Sequence, residues 1–271
     1  MQCFFINLEV ENKKSSLIKN RFDAINTCGW DLKRFPALDK EYVIKNDVTG
    51  CISDGAKGCF LSHREVINKN LGNDQHLWIM EDDVVFSGKV QQYILSSIEQ
   101  LPDDWDMLYT DVCIPDPKTM IDCFNAKRNL NGYAVGTTNL KELNFCSTAS
   151  YLINKKSIGL ISEILNSQKE LNIPIDILYR ELVHHGSIQA YSIFPFVTTL
   201  SDLAAISNIQ TSDFSFTETV WRAFRRYIWV DANLEDISLD LATLSKANFA
   251  PVDGAFVKIL AAFYAKEFKE K

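Results

Sequence analysis

Three adjacent carboxylates, Glu81-Asp82-Asp83, follow the apolar run Leu77-Trp78-Ile79-Met80 and precede Val84-Val85-Phe86. A run of apolar, aromatic and β-branched residues fits a buried strand. Open α/β sheets take their ligands beyond the carboxyl ends of the strands. Strand side chains alternate between faces, so Glu81 and Asp83 are expected to point together and Asp82 away. Two carboxylates on one side suit a hard divalent cation whose shell is completed by phosphate and water oxygens. An acidic loop after a strand explains the same residues, and the triplet alone leaves both readings open.

Other residues with chemistry to offer are scattered. Ser62, His63 and Arg64 fall at the start of an expected helix, where free N–H groups and a partial positive charge can hold a phosphate. A helix histidine bonded to a neighbour accounts for His63 equally well. Asp176 follows Ile173-Pro174-Ile175, and proline is well tolerated at a helix start. Asp176 then either complements the helix dipole or is a carboxylate held rigidly toward a site. Asn7 and Asp39 lie at the ends of two expected strands.

These residues need elements to position them. Cys3 to Leu8 reads as a strand, Lys14 to Thr27 as a helix, and Trp30 to Leu38 as a second strand. Such a β-α-β opening predicts a parallel, doubly wound sheet. Residues 46–57 are polar and turn-rich. Cys59-Phe60, His63, Val66-Ile67 and Leu71 then repeat at helical intervals. Val90 to Leu101 predicts a helix, Trp105 to Thr110 a strand, Ser147 to Ile153 a strand, Lys156 to Ser167 a helix and Tyr191 to Thr199 a strand. Residues 112–145 read as irregular, of the kind that forms a lid or binding loop or hides short strands. Toward the end, Trp221-Arg222-Ala223-Phe224-Arg225-Arg226-Tyr227-Ile228-Trp229 is basic and aromatic. Such a helix lies on an anionic membrane surface, or packs on the domain with its arginines in solvent. Ala255 to Lys271 predicts a further amphipathic helix.

Composition narrows the classes. The 271 residues are 46% hydrophobic, with a net charge of −7 and a pI near 5.2. That suits a globular domain with a sizeable core and argues against a nucleic-acid partner, which needs a basic surface. The seven cysteines are odd in number, scattered and without Cys-x-x-Cys, so neither a disulfide framework nor a zinc site is expected. The N-terminal apolar run is short and lacks a basic preamble, so it reads as a first strand rather than a signal peptide. A cytoplasmic protein with reduced thiols is the expectation, with peripheral contact to the inner-membrane surface through 221–229 if that helix lies on lipid. There is no Gly-x-Gly-x-x-Gly and no P-loop motif to suggest Rossmann cofactor or P-loop chemistry.

Several pieces, in this order, resemble glycosyltransferase family 25, the lipooligosaccharide galactosyltransferases of bacteria and their relatives. They are Phe5-Ile6-Asn7-Leu8, Phe35-Pro36-Ala37-Leu38-Asp39, Gly58-Cys59-Phe60-Leu61-Ser62-His63 and Ile79-Met80-Glu81-Asp82-Asp83-Val84. Tyr151-Leu152-Ile153-Asn154-Lys155-Lys156, Ile173-Pro174-Ile175-Asp176 and Phe194-Pro195-Phe196 follow, ending near Ser207-Asn208-Ile209. Two departures stand out: Glu9-Val10-Glu11-Asn12 intervenes where the family carries a basic residue and Asp-Arg, and Lys40 replaces a glycine after Asp39.

The resemblance implies a GT-A-type, Rossmann-like domain with a mostly parallel sheet over residues 1–210; residues 211–271 lie outside it and read as a C-terminal helical extension packed on the domain or on a membrane surface. It implies an inverting transfer of a galactose- or glucose-type hexose from a UDP-sugar to a saccharide or glycolipid acceptor of lipooligosaccharide. Manganese, or magnesium, is expected on Glu81 and Asp83. Asp176 matches the family's Pro-x-Asp and is expected to be the base, with Asp111 and Asp202 as weaker candidates. Asn7, Asp39, Ser62, His63, Arg64 and Asp82 are expected around the nucleotide. Two other classes compete: a metal-dependent phosphoryl-transfer enzyme, and a nucleotide-sugar-binding module without turnover.

Overall fold

The computed structural model describes residues 1–130, 135–201 and 216–232. The elements run β1 (Gln2–Asn7), α1 (Asn12–Ile25), β2 (Asp31–Pro36), α2 (Lys40–Lys45), α3 (Asp54–Asn68), β3 (Leu77–Glu81) and β4 (Val84–Phe86). They continue α4 (Val90–Gln100), β5 (Met107–Tyr109), α5 (Pro117–Asn129), β6 (Gly136–Asn139), β7 (Ser150–Ile153) and α6 (Ile158–Ser167). The last are α7 (Ile175–His184), β8 (Ala190–Phe194), β9 (Thr198–Leu200) and α8 (Phe216–Ile228).

A seven-stranded sheet has the order β2-β1-β3-β7-β5-β8-β6. The β1–β2, β1–β3 and β5–β8 pairings are parallel, while β7 and β6 run against their neighbours. The sheet is therefore largely parallel, as expected from the β-α-β opening. A small second sheet pairs β4 with β9.

Apolar side chains cover both faces of the large sheet, which is why its central strands read as continuous hydrophobic runs. In β3, Leu77 and Ile79 enter one core cluster, with Phe60 and Leu61 of α3. Trp78 and Met80 enter the other, with Phe22 of α1 and Ile94 of α4. The alternation aims Glu81, at the end of β3, toward the α3 side of the sheet.

Several expectations need correction. Residues 112–145 do hide a short strand, β6, as one reading allowed, but they also hold a helix, α5, that was not expected. Asp116 caps α5 by accepting from the Thr119 N–H at 2.8 Å, but only Met120 is buried along it, so no apolar period marks the helix. The expected strand Tyr191–Thr199 is two strands, β8 and β9, in different sheets with Pro195 between them. Helix α3 begins at Asp54, capped by Ser53, so Ser62 and His63 sit in its middle turns and not at its N-terminus.

The largest correction concerns the basic helix. Val220, Ala223, Phe224 and Ile228 of α8 are buried, but so are Arg225 and Arg226. Arg225 Nε donates to Asp111 Oδ2 at 2.7 Å. Lys127 Nζ donates to the carbonyls of Tyr227 and Trp229, and the Val230 N–H donates to the Phe196 carbonyl at 2.8 Å. Arg225 and Arg226 are thus turned into the protein and not spread in solvent, while Arg222 is half-buried. Pattern reading sorted them outward because it could not see their partners. The helix expected over Ala255–Lys271, and Asp202, lie outside the described residues. No helix among the described residues is long and apolar enough to cross a membrane.

Candidate active site

The carboxyl ends of β1 and β3, the loop after β2 and the middle of α3 converge on a cavity of about 410 Å³. Asn7, Lys14, Asp39, Ser62, His63, Glu81, Asp82 and Asp83 all line it. Strand β3 ends at Glu81, and Asp82 and Asp83 form the turn into β4. Strict strand alternation therefore stops one residue before it would separate Asp82 from its neighbours. The expectation that Asp82 points away is corrected: all three carboxylates face one cavity.

Each carboxylate has its own surroundings. Glu81 accepts from Thr148 Oγ1 at 3.1 Å, and its Oε1 lies 3.8 Å from His63 Nε2. Burial pushes its pKa up, but His63, Thr148 and the charge of Arg225 outweigh burial and leave it lowered. Asp82 accepts from Asn7 Nδ2 at 2.6 Å and lies 3.8 Å from Lys14 Nζ. Burial raises its pKa against the pull of Asn7 and Lys14. Asp83 has a buried Oδ1 with no hydrogen-bond partner. Its own burial, then the charges of Glu81 and Asp82, push its pKa up to about 7. A buried acceptor left unpaired beside two other carboxylates is the state a hard cation would relieve.

The remaining expected residues divide. Asn7 is only 1% exposed and fully engaged: its Nδ2 holds Asp82 and its Oδ1 accepts from Arg34 Nε at 2.8 Å. It orients an acidic side chain. Asp39 caps α2, accepting from the Tyr42 N–H at 2.9 Å, at the cavity rim. Ser62 Oγ donates to the Gly58 carbonyl at 2.7 Å and accepts from the Leu38 N–H at 2.8 Å, so it ties the loop before Asp39 to α3. Arg64 does not line the cavity. It is one residue, about 100° of helix, past His63, and its Nε lies 3.6 Å from Glu65.

Gly58 makes this arrangement possible. A Cβ there would lie 2.3 Å from the Leu38 carbonyl oxygen. Only a glycine lets α3 approach the Leu38–Asp39 loop this closely.

A second cavity of about 180 Å³ adjoins the first and holds Asp176, Ser147 and Thr148; Cys59 and Glu81 line both. Asp176 lies in the first turn of α7, as expected, and its Oδ2 accepts from the Ser147 N–H at 3.1 Å. Ser147 has φ of 92°, a left-handed conformation that side chains rarely adopt. The strained turn presents the Ser147 N–H to Asp176 and the Thr148 hydroxyl to Glu81. Asp111, the alternative base, is 1% exposed and taken by Arg225.

Four participants were not legible in sequence. Lys14 reaches the acidic turn from the first helical turn of α1, just after the stretch Glu9-Val10-Glu11-Asn12 that departs from the family pattern; its role could not be read from its position alone. Thr148 and Arg225 come from distant segments. Cys59, one helical turn before His63, brings a thiol near the ring and near Glu81, with donor atoms of the three within 4.8 Å of one another. The only sequence trace of that convergence is the Cys59-x-x-x-His63 spacing.

Comparison with known proteins follows the site. The family described as glycosyltransferase family 25 (LPS biosynthesis protein) matches residues 1–179. No curated protein matches the chain. Among solved structures, the chain is similar to mouse xyloside xylosyltransferase 1 in its apo form, at 9% identity and a TM-score of 0.34. That match covers 67% of this chain and 62% of the xylosyltransferase, so the chain spans less than two thirds of it. A nucleoside-diphosphate-sugar pyrophosphorylase from Vibrio cholerae RC9 matches at 14% identity and a TM-score of 0.33, over 71% of this chain and 72% of that one.

Proposed function

The chain belongs to glycosyltransferase family 25 and is a glycosyltransferase, and from that premise we propose that it moves a hexose, of galactose or glucose type, from a UDP-sugar to a saccharide acceptor of lipopolysaccharide or lipooligosaccharide, with inversion. The GT-A-type reading is supported by a largely parallel sheet carrying an acidic turn at the carboxyl end of a central strand. The phosphoryl-transfer and turnover-free alternatives have no comparable support.

The observation that carries the proposal is the meeting of two cavities at Glu81. The larger has the acidic turn, Lys14 and the ends of two parallel strands, which suits a nucleotide diphosphate. The smaller has Asp176. Inversion by single displacement needs acceptor and leaving group on opposite sides of the anomeric carbon. Two cavities sharing one wall support that reading.

The orphaned Asp83 Oδ1 and the all-oxygen character of the turn fit a manganese or magnesium ion held by Glu81 and Asp83. Bound there, the ion supplies positive charge to the diphosphate as it departs. The protein's own groups do the rest. Asn7 and Lys14 hold Asp82 at the rim. Asp176 takes the proton of the acceptor hydroxyl as its oxygen bonds to the anomeric carbon and the bond to UDP breaks. The Ser147 N–H bonded to Asp176 keeps its carboxylate aimed. Base catalysis of this kind contributes roughly 10²–10⁴-fold.

The test is a thermal-shift screen of nucleotide sugars with and without manganese. UDP-hexoses should raise the melting temperature only with the ion. A shift by non-uridine nucleotides alone, or none by any donor, would count against the reading.

A further inference from the structure

Cys59 and His63 stand one helical turn apart on α3, and Glu81 closes β3 in front of them. A thiol sulfur, a ring nitrogen and a carboxylate oxygen from the three lie within 4.8 Å of one another. His63 is 1% exposed, and its Nδ1 shares a hydrogen bond with the Tyr151 hydroxyl at 2.9 Å. That leaves Nε2, which is buried, has no hydrogen-bond partner and lies 3.8 Å from Glu81 Oε1. A buried polar atom in that state is costly.

We infer that Cys59, His63 and Glu81 form a site for a soft divalent ion of the zinc class, separate in chemistry from the hard-cation site on the acidic turn. Thiolate and imidazole select zinc-like ions, whereas carboxylate oxygens suit manganese and magnesium. A zinc-ligating histidine characteristically bonds its other ring nitrogen to a fixed partner, the position Tyr151 occupies. Three protein ligands leave a fourth position open, and Cys59 and Glu81 both face the two cavities from which an ion and its water would come.

Glu81 belongs to both sites. An ion on Cys59 and His63 draws Glu81 away from Asp83, so soft and hard ions oppose one another. This last consequence rests on the proposed function; the soft-ion site itself does not.

The test uses cobalt(II) as a coloured stand-in for zinc, added to the full chain freed of metal. A thiolate-to-cobalt charge-transfer band should appear, saturate at one equivalent and bleach when zinc is added. Cys59→Ser should abolish the band, His63→Gln should weaken cobalt binding by about tenfold or more, and Cys113→Ser should leave it intact. No band in folded protein, or a band that survives Cys59→Ser, overturns the site. Zinc should also weaken manganese-dependent UDP binding in the parent chain and not in Cys59→Ser. Equal weakening in both overturns the shared ligand while leaving the proposed transfer reaction standing.

Discussion

Arg225 and Asp111 form a buried ion pair at 2.7 Å across 114 positions of sequence, tying α8 to the segment that follows β5. Arg225 is 4% exposed and Asp111 1%. Burial works against the guanidinium's charge, but Asp111 more than offsets it, and Asp83 adds to the hold. The family match stops at residue 179, yet α8 carries a buried cation whose charge is felt by both Glu81 and Asp83. Helix α8 is therefore packed on the same body that carries the acidic turn.

The first prediction tests that role. Arg225→Met leaves Asp111 buried and unpaired, and breaking a buried pair from one side costs about 3–5 kcal/mol. Denaturant unfolding should show a loss of that order. A loss under about 0.5 kcal/mol, of the kind surface changes give, would return α8 to a loosely attached extension.

The second prediction concerns pH. Asp83's folded pKa, about 7, lies above its ordinary value of 3.8. A group raised in this way favours folding while protonated, and that contribution is lost as pH rises through about 7. In metal-free protein, Asp83→Asn should melt higher than the parent chain at pH 8, and the difference should close toward pH 4. Manganese must displace the proton, so its affinity should fall about tenfold per unit as pH drops below 7. Calorimetric titration at three pH values reads the slope; a flat profile contradicts the assignment.

The third prediction separates binding from chemistry. Asp176→Asn should bind UDP with manganese as the parent chain does and lose roughly 10²–10⁴-fold in transfer rate. Collapse of UDP affinity instead would make Asp176 a donor-binding residue.

The fourth follows from close packing. Gly58→Ala places a Cβ 2.3 Å from the Leu38 carbonyl oxygen, backbone that has little room to yield. Overpacking of this kind costs about 1–3 kcal/mol. The Leu38–Asp39 loop should shift off α3, and UDP affinity should weaken along with stability.

What the sequence disclosed depended on whether a signal was local. Strand β3 was legible because both of its faces are buried, leaving an unbroken apolar run. The acidic triplet stood out at its end, and Asp176 after its proline. Helix α5 escaped because it buries only Met120. The start of α3 was missed because Ser53 and Asp54 are polar residues in a turn-rich stretch. Asp82 was turned the wrong way because alternation holds only while the strand lasts. Arg225, Thr148 and Cys59 gained meaning only from partners on other elements, which no window along the chain contains.

The central claim is that the turn Glu81-Asp82-Asp83 holds a divalent ion against the diphosphate of UDP. Titration calorimetry of UDP binding, with manganese and with chelator, on the parent chain and on Asp83→Ala, tests it most directly. The account predicts tight binding only for the parent chain with manganese, and affinity lower by more than about tenfold, or 1.4 kcal/mol, in the other three cases. Equal affinity in all four would contradict it.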